Sequence, residues 1–246
     1  MKNLFLILLL TLTTSLANAE IVKYVYDGDT FITTDGKKVR VLNINTPETA
    51  KKNKPSEPYS VKAKKHLEKL VNGKEVKLVF DKEKKDKYKR YLAYVYLKDG
   101  TFVNAEMLRS GLAHLYSFPN NVSKYDELRK AEDEARAKKL NLWSNERWEL
   151  QNANSDKKVE KFRFGKYQMF KGKVIEVAKV GKRTFLNFGN NWRTDFSVEI
   201  KNKHLKHFSK PLDSYKGKTV IIRGILRPVN GALINATHEQ QIEVIE

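Results

Sequence analysis

Three short stretches of the 246-residue chain carry acids and arginines at spacings that admit chemistry: Asp27-Gly28-Asp29-Thr30, the run VRVLNINTPE from Val39 to Glu48, and Asp86-Lys87-Tyr88-Lys89-Arg90. The second reads as a buried strand entering a polar turn, with an amide at Asn45, Thr46 beside it and a carboxylate at Glu48. Oxygen donors grouped in this way look like the mouth of a metal site. Each stretch also has a plainer reading. Aspartates next to glycine often bond their own turn backbone, and Thr46-Pro47-Glu48 is a way to end a strand, because proline cannot extend the ladder. Arg40 sits between two valines, as an outward-facing strand residue would, and the run from Asp86 to Arg90 reads equally as a solvated loop.

A β-rich frame must position these residues. From Glu20 the apolar pattern alternates with period two through IVKYVY, FITT and KVRVLNI, separated by Asp27-Gly28 and Asp35-Gly36. Asp-Gly between such runs is a strong hairpin signal, so a three-stranded meander is expected. Helical spacing follows over Tyr59 to Val71, stopped by Asn72-Gly73. Strands are expected at Glu75 to Phe80 and Tyr91 to Leu97, then helices at Val103 to Arg109 and Lys124 to Lys138, the last opened by a capping-box pattern at Ser123 and Asp126. Five strands with a helix between the third and fourth match the order of an OB-fold barrel with helices appended, a mainly β (α+β) class.

Hydrophobic periodicity disappears over Gln151 to Glu160 and returns as MFKGKVIEVAKV, RTFLNFG, DFSVEI, TVIIRGILRP, ALINA and QIEVIE. The expected organisation is a leader at 1–19, an OB-like domain at 20–149, a linker at 150–164 and a second small β-barrel, OB-like, at 165–246. Its aromatics Phe185, Phe188, Trp192 and Phe196 read as core at strand spacing, with a base-stacking platform as the alternative.

The first twenty residues, MKNLFLILLLTLTTSLANAE, combine a lysine, an apolar run from Leu4 to Leu12 and the small-residue pattern Ala17-Asn18-Ala19. These are the parts of a secretory leader, too short in its apolar core to cross a bilayer of about 30 Å. The expectation is a secreted or periplasmic protein with no membrane contact after leader removal. Cysteine is absent, which excludes thiolate catalysis, disulfides and Cys-ligated zinc. The formal charge is +19, clustered at Lys51 to Lys54, Lys62 to Lys65, Lys82 to Arg90 and Lys201 to Lys210. Such a surface favours a polyanion through counterion release, or is simply solvated.

Taken in order, VYDGDT, VRVLNINTPE, DKYKRYLAYVY, VNAEMLRSGLA and KKLNLWS resemble the staphylococcal nuclease (thermonuclease) family over about Ile21 to Trp148. The resemblance implies a Ca²⁺ held by Asp29, the residue at position 45 and the carbonyl of Thr46. It implies a water-handling carboxylate at Glu48 and phosphate-clamping guanidiniums at Arg40 and Arg90. Lys87 and Tyr88 match contacts to a terminal phosphate, and Tyr116 matches an aromatic that packs on a base, although the segment from Ala113 to Pro119 is shorter than the family's. The implied partners are DNA and RNA, single strands favoured, cut by a monomer with little base preference to leave 3′-phosphate ends.

That assignment makes chemical sense. An anionic phosphodiester needs cations at phosphorus and an oriented water; arginine's planar fork supplies two parallel bonds and a permanent charge. The departure is Asn45, where the family usually has aspartate: the amide keeps a hard oxygen but removes one negative charge, which predicts weaker Ca²⁺ binding. Asp27 is placed to restore part of it. The competing readings are a nucleic-acid binder disabled by Asn45 and an envelope protein gripping anionic polymers. Other chemistries fail on pattern: His204 and His207 lack further ligands, Gly181-Lys182-Arg183-Thr184 lacks a P-loop's upstream glycine, and no Gly-x-Ser-x-Gly elbow occurs.

Overall fold

The computed structural model describes residues 19–50 and 55–245; residues 1–18 of the expected leader lie outside them. β1 (Ala19–Asp27), β2 (Thr30–Thr33) and β3 (Lys38–Val41) form the expected antiparallel meander. Ala19, assigned to the leader from sequence, already pairs with Lys77. The run KVRVLNI does not remain one strand. Asn43 turns the backbone left-handed at φ 60°, a conformation asparagine tolerates, and its buried amide donates to Tyr94 Oη at 3.1 Å and to the Asn121 carbonyl at 2.6 Å. Ile44–Asn45 beyond it form a separate short strand, β4.

α1 (Ser60–Val71) buries Ala63, Leu67 and Val71 at helical spacing and stops at Gly73, φ 70°. β5 (Glu75–Lys85) and β6 (Tyr91–Leu97) complete a closed barrel in the order β1-β2-β3-β6-β5, with β3 parallel to β6. This is the OB-fold order. α2 (Val103–Arg109), β7 (His114–Leu115) and α3 (Tyr125–Ala137) follow, and β7 pairs with β4. The capping box does not form. α3 begins without a side-chain cap, and the Ser123 backbone N–H donates instead to Asp81 Oδ2 at 3.0 Å.

The second half repeats the architecture. Of residues 150–164, expected as a linker, Leu150–Asn152 form β8, parallel to β9 (Tyr167–Lys173), and Ala153 and Arg163 are buried. Three residues are too few to show period two, so the strand is invisible to pattern. β9 runs through Val174 into β10 (Glu176–Val180), followed by β11 (Arg183–Asn187), β12 (Phe196–Lys201), β13 (Thr219–Arg227), β14 (Ala232–Ala236) and β15 (Ile242–Val244). The order β10-β11-β12-β14-β13-β9 returns to the strand it left, with β12 parallel to β14, so the connectivity matches the first barrel. Phe188 and Phe196 are core, Phe196 stacked on Phe170 at 4.0 Å, whereas Phe185 and Trp192 lie outside the core.

The outer face of β9 and β13 covers the first barrel's helices. Arg223 of β13 reaches Glu132 of α3 at 2.6 Å with both side chains fully buried, and Glu132 also accepts the Leu115 N–H at 2.7 Å. Tyr167 Oη donates to the Leu115 carbonyl, Tyr125 Oη donates to the Gln240 carbonyl, and the Tyr167 ring stacks on His114 at 3.9 Å.

Candidate active site

Sequence separation vanishes at the end of the first barrel. Thr30 pairs with Arg40 across β2 and β3, and the chain before Thr30 turns so that Asp29 faces the Arg40 side chain. Arg40 Nη2 lies 3.1 Å from Asp29 Oδ2 and donates to Asn45 Oδ1 at 3.0 Å, while Nη1 donates to the Val41 carbonyl at 2.6 Å. Asp29 Oδ2 accepts the Thr46 N–H at 3.1 Å and Thr46 Oγ1 at 3.3 Å; its Oδ1 accepts Thr30 Oγ1 at 3.0 Å. Asp29, Arg40 and Thr46 are buried and Asn45 half-buried. The structure therefore gathers four of the expected residues into one hydrogen-bonded cluster.

Gly28 makes the approach of the two turns possible. A Cβ there would sit 2.7 Å from Thr46 Oγ1 and 2.8 Å from Ala63 Cβ. Asp27, behind it, accepts the Asp29 N–H at 3.1 Å. Burial and the neighbouring Asp29 charge push the Asp27 carboxyl up to about 6, against the opposing pull of the Asp29 N–H and Arg40.

Asn45 is held on three sides. Besides accepting from Arg40, its Nδ2 donates to the Thr46 carbonyl at 3.3 Å and faces His114 Nε2 at 3.4 Å. Burial pushes His114 down to about 4, so its ring is neutral near pH 7; Nε2 is then free to accept from the amide while Nδ1 donates to the Leu115 carbonyl. Sequence reasoning did not find His114. The signal lay in the pairing of β4 with β7, which sets Asn45 opposite His114.

Glu48, exposed, follows two residues after Thr46; its backbone exchanges hydrogen bonds with Glu57, whose carboxylate is paired with Arg147. Arg90 stands just before β6, the strand beside β3, and is clamped by Asp86 through Nε and Nη2, both at 2.8 Å. Lys87 and Tyr88 project from the same tight turn, both exposed, with Lys87 Nζ 5.0 Å and the Arg90 guanidinium 5.6 Å from the Tyr88 ring centre. Tyr116 is half-buried next to β7, its N–H bonded to the Asn43 carbonyl, and it lines a crevice between the barrels.

The donor set fits a hard cation: an aspartate, an amide oxygen and a peptide carbonyl, all oxygen, with a second aspartate behind them and Arg40 as their near counter-charge. Among the described residues no group of three or more acids, histidines or cysteines could hold a metal ion, so a cation here depends on the Asn45 amide and the Thr46 carbonyl beside Asp29. The Asp27 carboxyl is raised chiefly by its burial and only then by the Asp29 charge beside it.

The family description "Staphylococcal nuclease homologue" matches residues 38–145. The thermonuclease of Staphylococcus intermedius is 41% identical over 126 residues, spanning 50% of this chain and 74% of that protein. The thermonuclease of Staphylococcus hyicus is 37% identical over 124 residues, 49% of this chain and 73% of its own length. Endonuclease YncB of Bacillus subtilis is 44% identical over 123 residues, but the match spans only 58% of that protein and 48% of this chain. With its barrel order, its clustered Asp29, Arg40 and Thr46, and three quarters of a thermonuclease aligned, this chain belongs to the staphylococcal nuclease family.

Proposed function

We propose that the chain is an exported, Ca²⁺-dependent nuclease that hydrolyses DNA and RNA phosphodiesters with little base preference, leaving 3′-phosphate ends. The observation that carries it is the cluster in which Arg40 joins Asp29 and Asn45, with Thr46 bonded to Asp29 and Glu48 two residues beyond. Export follows from the leader-like first 19 residues.

In this reading Asp29, Asn45 and the Thr46 carbonyl hold the ion, which when bound supplies positive charge at the scissile phosphate. Arg40 donates to a non-bridging oxygen, and its bonds to Asp29, Asn45 and Val41 fix the guanidinium before substrate arrives. Arg90 exchanges part of its Asp86 contact for phosphate. Glu48 takes a proton from a water; the water oxygen bonds to phosphorus, the bond to the 5′ oxygen breaks, and that oxygen leaves protonated from solvent. Contacts to phosphate carry no sequence information, hence the low base preference.

Incubating the protein with plasmid DNA and with RNA, in Ca²⁺ or chelator, tests the proposal. Both substrates should be degraded only with Ca²⁺, and Glu48→Ser should lose at least about a hundredfold in rate, the scale of a lost general base. Equal degradation by Glu48→Ser refutes the assignment. A second reading, a nucleic-acid binder with failed catalysis, rests on one observation: the Asn45 amide donates to the Thr46 carbonyl that should face the ion. Tight binding without degradation at any Ca²⁺ concentration would select it.

A further inference from the structure

The second barrel carries a cleft that nothing in the proposed reaction uses. On the outer face of β10, β11, β12 and β14, Ala178, Phe185 and Leu233 occupy positions that ordinarily carry polar side chains, since their alternates fill the core. They line a cavity of about 350 Å³ with Trp192, from the loop between β11 and β12, at its rim. Trp192 is 52% exposed, and the Arg193 guanidinium lies 4.7 Å from its ring centre. Asn187 and Asn230 add amide groups at one end.

Arginines stand beside this cleft, one of them paired with an acid. Arg183 neutralises Glu199 at 3.2 Å. With its amide turned to satisfy both neighbours, Asn235 donates to Glu199 at 2.7 Å and accepts from Arg227 at 2.8 Å. Glu176 is the one charged residue lining the cleft, and Arg193 stands at the rim over Trp192.

The cleft also continues toward the active site. Leu233 in the cleft and Asn235 two residues on share one face of β14, and Asn235 with Arg227 lines the crevice between the barrels. The opposite wall of that crevice includes Tyr116 and Phe118, two and four residues after His114, the neighbour of Asn45.

We infer that the second barrel's cleft is a binding site for single-stranded nucleic acid, holding a nucleobase against Phe185 and Trp192 while the strand's backbone follows Arg227 through the crevice from the catalytic cluster. This rests on the proposed nuclease reading for its choice of ligand. A base offers the flat π-face that an aromatic wall accepts and edges that amides satisfy, and its phosphates suit the arginine rim. Phe185 and Trp192 belong to neither barrel's core, so their apolar surface is left for a ligand.

The test measures affinity for a fluorescent oligothymidylate of about 15 nucleotides, near the span of one such barrel, with the full protein in chelator so that no hydrolysis intervenes. Trp192→Ala and Phe185→Leu should each weaken binding, the first by about 5- to 100-fold, the scale of a lost base stack. Their hydrolysis of a dinucleotide in Ca²⁺ should match the parent. Trp192 is exposed, so its alanine form folds, and thermal melting checks both. Unchanged affinity in both variants overturns the inference, as does binding of a neutral oligosaccharide, but not of oligothymidylate, that Trp192→Ala abolishes. A protein that binds through Trp192 yet cuts nothing would refute the catalytic proposal and leave this site standing.

Discussion

Arg40 Nη2 donates to Asn45 Oδ1 at 3.0 Å, and the same amide turns its Nδ2 toward the Thr46 carbonyl at 3.3 Å. Asparagine at this position therefore does two things to an oxygen-donor site: it withholds a negative charge and ties up a neighbouring carbonyl. Aspartate would keep the acceptor for Arg40, add the charge and release the carbonyl. Asn45→Asp should lower the half-saturating Ca²⁺ concentration for DNA hydrolysis by about tenfold, in keeping with affinity tuned by ligand charge. An unchanged or higher half-saturation, read by titrating both forms, refutes this account of Asn45.

Gly28 is required for contact, not for turn geometry. Its missing Cβ leaves room for Thr46 Oγ1 and Ala63, at 2.7 and 2.8 Å from where that atom would stand. Gly28→Ala must push the turn carrying Asp29 away from Thr46 or shift α1. The expected result is a stability loss of about 1–3 kcal/mol, the cost of overpacking, with a higher Ca²⁺ requirement. A variant with wild-type urea stability and Ca²⁺ response would show that the two turns need not touch.

The barrel was legible because its strands alternate cleanly and its turns carry glycine. The cluster of Asp29, Arg40, Asn45 and Thr46 was legible because these residues lie within twenty positions of one another in a recognisable order. What pattern did not reveal are relations between distant segments. The left-handed break at Asn43 looked like continuous strand, since a single residue's φ leaves no periodic trace. His114 facing Asn45 depends on a two-residue pairing. β8 was hidden inside a polar stretch, and Glu132 looked like one more charge on a helix until Arg223, 91 residues on, closed over it. Phe185 and Phe188, three apart, fall on opposite faces of an alternating strand, but only the packed sheet shows which face is core.

That buried pair sets the joint between the barrels. Arg223→Met would leave Glu132 charged and enclosed with the Leu115 N–H but without its cation, and the Arg223 Nε, already unpartnered among the described residues, shows how little slack the site has. Breaking such a pair costs about 3–5 kcal/mol. Adding Glu132→Gln should recover part of this, since an amide still accepts from Leu115 without a charge to bury. Urea unfolding of the single and double variants tests the coupling. A double variant no more stable than Arg223→Met contradicts it.

His238 makes the same joint sensitive to acid. It is buried against Ser117 of the first barrel, Nε2 to Oγ at 2.7 Å, and burial with the nearby His207 charge pushes it down to about 4. In the unfolded chain its ordinary value near 6.5 applies. Between these values the unfolded chain binds more protons than the folded one, so stability falls as the pH drops from 6.5 to 4 and is unaffected by this group above 6.5. At pH 4.5 the loss from this residue is about 2–3 kcal/mol. His238→Gln, which offers an amide to Ser117 and cannot titrate, should lose correspondingly less stability between pH 7 and pH 4.5 when both proteins are unfolded in urea. Equal losses in the two proteins would place the acid sensitivity elsewhere, because only a group protonated differently in the folded and unfolded states can contribute to that slope.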